Sequence, residues 1–151
     1  MLPGAASQIA AAKTEKIIEG NGRMSAEVEL LDLSRKLLNS IDTGDWATYA
    51  SMCDASITCF EPEALGHLVE GLPFHKFYFD LPATATKPAK QSSIASPKVR
   101  VIGDSAIVTY VRVVQKLDGH GAPMTAAAME TRIWHKTSVG WKHVHFHRTP
   151  C

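Results

Sequence analysis

Three arginines stand where alternation along the chain puts apolar side chains. Read as a strand, residues from 105 onward place Arg112 on one face with Val108, Tyr110 and Val114, and residues 141–148 place Arg148 with Val144 and Phe146. Arg132 shares its face with Glu130 and Trp134, and a short hairpin at 137–140 sets residue 132 opposite 146 and residue 130 opposite 148. This register predicts that three guanidinium groups converge. A guanidinium keeps its charge, so burying several without anionic partners would cost roughly several kcal/mol per ion. Glu130 can serve one or two of them. The others call for a further carboxylate of the chain, a partner subunit, or a small carboxylate or phosphate held in bidentate fashion. Equally open is the plainer arrangement, with the stems on apolar surface and the charged heads in solvent at the strand ends.

Other chemistry-bearing residues point less sharply. His143, His145 and His147 fall on one strand face with Trp141, but that spacing covers about 13 Å, too long for one tetrahedral ion. The expectation is no metal and no cofactor, with the histidines as pH-sensitive fillers against a helix or a neighbouring subunit. Glu61, Glu63 and Glu70 surround Pro62 and Gly71; paired carboxylates can do acid and base work, but their commoner role is in caps and ion pairs. Cys53, Cys59 and Cys151 are odd in number and lack CxxC spacing, so they are expected as reduced thiols.

The elements that must position these residues follow from periodicity. Val28, Leu30, Leu31, Leu37, Leu38 and Ile41 recur at helical spacing and predict one apolar stripe on a helix capped by Ser25, Gly44 ends that helix, and Asp45 caps a second short one carrying Trp46 and Tyr49. Residues 71–80 predict a third helix, 81–90 a loop, and the remainder a meander of long strands with a turn at 118–121. Helices first and long strands after predict an α+β fold, with a long N-terminal helix packed in a curved antiparallel sheet. At 151 residues and 45% hydrophobic content one domain is expected, residues 24–151, behind a flexible linker or tail at 1–23. A net charge of +1 gives no basic field for nucleic acid or an anionic membrane. With no membrane span or signal-peptide pattern in the sequence, a cytoplasmic location is expected.

Longer words in the chain carry a resemblance. GDWATYASMCD (44–54), FEPEALGHLVEGLPFHKFYF (60–79), and ETRIWHK followed by GWKHVHFHR (130–148) closely resemble the association, or hub, domain of calcium/calmodulin-dependent protein kinase type II. The resemblance implies a cone-like fold similar to nuclear transport factor 2. It implies self-assembly into dimers and stacked rings of about a dozen or more subunits, which organise kinase domains into a holoenzyme. It also implies a cavity that accepts small carboxylates, lined here by Tyr49, His75, Arg112, Arg132 and Arg148. Two departures stand out: Lys76 replaces the usual arginine, and LPATAT (81–86) has no tryptophan where family members often carry one. No Gly-rich loop, HRD or DFG signature occurs, so the chain is not expected to be an enzyme or to phosphorylate anything by itself. The alternative is a small-molecule binder or an isomerase- or cyclase-like enzyme of the same cone fold, with His75, Tyr49 or Glu61 as its base.

Overall fold

Leu30, Leu37 and Leu38 are almost fully buried along one stripe of the first helix, α1, which occupies residues 25–43. A computed structural model describes residues 25–82 and 89–151 of the chain. The tail expected at 1–23 and most of the loop at 81–90 lie outside those residues. Ser34 and Ser40 also face the core, and each donates its hydroxyl to a carbonyl of its own helix, to Leu30 at 2.8 Å and Leu37 at 2.6 Å. That local bond removes the cost of burying them. Val28 is exposed, outside the stripe. Gly44, at φ 72°, adopts the left-handed turn that stops α1: the Asp45 N–H donates to Ser40 O and the Gly44 N–H to Ile41 O. Asp45 then caps α2 (Trp46–Met52) by accepting from the Thr48 N–H at 3.0 Å. Trp46 and Tyr49 stack with ring centroids 5.8 Å apart.

The chain next enters β1 (Cys53–Phe60), a 3-10 turn (Pro62–Ala64), the two-residue β2 (Val69–Glu70) and α3 (Pro73–Asp80). In α3 the side chain turned fully inward is His75, while Phe77 and Tyr78 are exposed. Four long strands complete the fold: β3 (Lys90–Ile102), β4 (Ser105–Leu117), β5 (Pro123–Thr137) and β6 (Gly140–Pro150). The sheet order is β2-β1-β6-β5-β4-β3. Every neighbouring pair is antiparallel except β1 with β6, which run parallel. The concave face buries Val108, Tyr110, Trp134, Trp141 and Phe146 against the leucines of α1. No helix among the described residues is long and apolar enough to cross a membrane.

Two irregularities shape the sheet. In β3 the pairing shifts between Ala95 and Lys98, where Ser96 has φ 49° and Pro97 removes a donor. In β6 the pairing shifts at Val144, with Trp134 opposite His143 but Ile133 opposite His145. This bulge corrects the expected histidine face. His143 turns inward with Trp141 and is fully buried, whereas His145 and His147 point outward beside Thr58 and Phe60. The bulge lets Trp141, His143, Phe146 and Arg148 all reach the concave side, which strict alternation would forbid.

Candidate functional site

Below the C-terminal turn of α1, the concave side of the sheet encloses a cavity of about 240 Å³. All five residues expected at the site line it: Tyr49 from α2, His75 from α3, Arg112 from β4, Arg132 from β5 and Arg148 from β6. The register that brings the arginines together is the expected one, with Glu130 opposite Arg148 and Arg132 opposite Phe146. Glu61, Glu63, Lys90, Tyr78, Phe79, Ile41 and Phe146 complete the lining.

Each guanidinium already has a carboxylate. Arg132, its side chain 2% exposed, donates through Nη2 to Glu130 Oε2 at 2.7 Å and through Nε to Tyr110 Oη at 2.6 Å, and the Tyr110 hydroxyl donates to the same Glu130 oxygen at 2.7 Å. The Arg132 guanidinium also lies over the Phe146 ring, 4.8 Å from its centroid. Arg112 donates to Asp42 Oδ1 at 2.9 Å and to Ser92 Oγ at 2.9 Å, and approaches Glu130 at 3.8 Å. Arg148 donates to Glu61 at 3.2 Å and also to Glu63, the first just before the 3-10 turn and the second within it. Lys90 reaches Asp42 at 3.6 Å. Four cations thus meet four carboxylates, Asp42, Glu61, Glu63 and Glu130, and the burial cost is met within the chain.

Burial and neighbouring charge set the protonation states. Burial pushes the Glu61 carboxyl above its ordinary range, and Arg148 offsets only part of that rise. At Glu130 burial acts in the same sense, but Arg132, Tyr110 and Arg112 outweigh it and hold the carboxyl below its ordinary value. Burial, reinforced by Arg132, lowers His75 to about 4, so its imidazole is neutral at pH 7. The same two causes hold His143 well below its usual value. Burial raises the Tyr49 phenol, which therefore stays protonated.

Asp42 is the site residue that sequence reasoning missed. A carboxylate in the last turn of a helix opposes the helix dipole, and that misplacement signals a cation from elsewhere in the fold. Here it accepts from the Ser92 N–H at 2.6 Å as well as from Arg112. Glu61 and Glu63 were legible as ion-pairing carboxylates, but not as partners of Arg148.

Comparison with known proteins places the chain and its fold. Residues 26–151 match the calcium/calmodulin dependent protein kinase II association domain family. The chain is 39% identical over 133 residues to calcium/calmodulin-dependent protein kinase type II subunit delta of Oryctolagus cuniculus, a match that takes in 87% of this chain. The chain spans only 25% of the length of that kinase subunit. Among solved structures, the hub homology domain of the C. reinhardtii kinase superposes with a TM-score of 0.79 at 51% identity, over 83% of this chain and 98% of the other. A nuclear transport factor 2-like protein from Cytophaga hutchinsonii, 17% identical, shares the fold with a TM-score of 0.66, over 83% of this chain and 98% of its own. The helix-in-sheet cone is therefore of the nuclear transport factor 2-like type, and the chain belongs to the calcium/calmodulin dependent protein kinase II association-domain family.

Proposed function

We propose that the chain is an oligomerisation hub, assembling with copies of itself into dimers and stacked rings that organise kinase subunits into a holoenzyme. The observation that carries this reading is the outward face of the sheet. Ile107 pairs with Ile133, Val111 with Met129, and Val113 with Ala127, and with the Thr109–Thr131 pair between the first two they form a largely apolar stripe on the side away from the helices. Met129 is 54% exposed at its centre. A monomer leaves such a stripe in water; a second subunit covers it. Light scattering of the purified chain is expected to give many times its 16.4 kDa mass, and a monomer at micromolar concentration would overturn the hub.

Within that hub the arginine-lined cavity is a non-catalytic site for small carboxylates. Tyr49, His75, Arg112, Arg132 and Arg148 form its wall, and Glu130 holds Arg132 from behind. Arg148, with its side chain 22% exposed, is the guanidinium best able to exchange one of its carboxylates for an incoming one. Catalysis is poorly served. The carboxylates that would act as bases are tied to guanidinium groups, and the His75 imidazole is too weak a base to hold a proton near neutrality. Malonate is expected to raise the melting temperature of the parent chain, by about 2.7 kcal/mol of stabilisation at a hundredfold excess over its Kd. Arg148→Ala should lose that shift. A parent chain indifferent to malonate counts against the pocket and leaves the hub untouched.

A further inference from the structure

On the β1 side of the cavity three side chains of different chemistry meet. Cys59 points inward near the end of β1, Glu61 follows two residues later beside the 3-10 turn, and His75 enters from the first turn of α3. Cys59 is fully buried, and the His75 and Glu61 side chains are only 6% and 10% exposed. The thiol lies 3.7 Å from Glu61 Oε1 and 3.8 Å from His75 Nε2, while Glu61 Oε1 lies 3.5 Å from His75 Nδ1. The imidazole and carboxylate are farther apart than a normal N–H···O bond of about 2.7–3.2 Å. Around a tetrahedral zinc, bonds of about 2.0–2.3 Å put neighbouring ligand atoms about 3.3–3.8 Å apart. With His75 Nε2 as the ligand atom, the two thiol separations fall in that interval; the imidazole–carboxylate separation does so through Nδ1. They involve both ring nitrogens of His75, and one ligand atom from each side chain lies within 4.8 Å of the other two. A modest turn of the imidazole therefore brings all three onto one ion.

We propose that Cys59, Glu61 and His75 bind a thiophilic divalent cation, zinc first among them. Thiolate, imidazole and carboxylate together favour zinc over magnesium or calcium, which prefer oxygen alone. Arg148 Nη2 holds the other Glu61 oxygen, Oε2, at 3.2 Å and so keeps Oε1 turned toward Cys59 and His75. The nearby guanidinium groups of Arg132 and Arg148 do not forbid the ion. Before binding, the three side chains carry the single negative charge of Glu61, the Cys59 thiol being pushed up to about 12 by burial; afterwards, with that proton released to solvent, a dication is balanced by thiolate and carboxylate, so the local charge changes by one unit. His75 and Glu61 line the cavity and Cys59 sits behind them, which leaves the fourth coordination position toward the cavity. That an anion would fill this position rests on the carboxylate-pocket reading; metal binding itself does not.

The test is a titration of the metal-stripped full chain with Co(II) alone. One Co(II) per chain is expected, with a thiolate-to-cobalt charge-transfer band in the near ultraviolet. Cys59→Ser, which keeps the volume and removes the soft donor, should abolish the band, and Cys151→Ser should keep it. His75→Ala should weaken binding at least about tenfold, and it carries the comparison if Cys59→Ser fails to fold. No band, a band that survives Cys59→Ser, or unchanged affinity in His75→Ala would overturn the site. Malonate plays no part in this titration, so failure here leaves the anion pocket standing, and failure of the malonate shift leaves the metal site standing.

Discussion

Burying Arg132 beside His75 and His143 makes the cavity wall sensitive to protons. Both imidazoles are held neutral by burial and by the Arg132 charge, His75 down to about 4 and His143 well below its ordinary value of 6.5. Unfolding releases each ring to that ordinary value. Below pH 6.5 the unfolded chain therefore takes up protons that the folded one refuses, and stability falls as pH falls, for His75 until about 4. Glu61 acts in the opposite sense: its raised carboxyl disfavours folding at neutral pH, and that penalty eases in acid. Glu130, held below its ordinary value, adds to the histidines' loss in acid, so the balance is a net loss. Chemical denaturation at fixed protein concentration should give a constant midpoint above about pH 7 and a steady decline below it. His75→Asn should shallow the decline by about one proton. A midpoint that does not move between pH 6.5 and 4 would mean that the folded chain lets these rings protonate.

At the scale of the elements, the helices, the long strands and the convergence of three arginines were legible in local pattern. Alternation placed Arg112, Arg132 and Arg148 on the inner face, and a short hairpin set Glu130 against Arg148. The bulge at Val144 was not legible. In WKHVHFHR the phase slip between Trp141 and Val144 is the only trace of it, and strict alternation reads that slip as a face of histidines beside Trp141; the crowding of Trp141, His143 and Phe146 into one core makes the strand insert an extra residue. The consequence is a histidine ladder split between two faces. The parallel pairing of β1 with β6 was hidden for a different reason: period-two patterning says which face a residue takes, not which strand lies beside it. Tyr49 and His75 became site candidates through family resemblance, since nothing in helical spacing alone separates an inward His75 from Phe77 two residues on. Asp42 needed the tertiary fold, because its partners Arg112 and Ser92 lie on strands formed far along the chain.

For the whole molecule, the two faces of the sheet have divided labour. The concave side is closed by helices and saturated with internal charge pairs, whereas the outer side presents Ile107, Val111, Val113, Met129 and Ile133. A charge placed in that stripe touches no core contact. Met129→Lys should lower the mass seen in light scattering while the far-ultraviolet circular dichroism stays that of the parent; an unchanged mass would move the subunit contact elsewhere.

The rims of the sheet decide what kind of assembly such a face can build. One rim is only the two-residue β2; the other, β3, is bent at Ser96, interrupted by Pro97 and studded with Lys90, Lys98 and Arg100. Neither offers the long, flat row of free backbone groups that templates strand addition from another molecule. Copies of this chain are thereby steered away from open-ended growth by strand addition at the sheet edges.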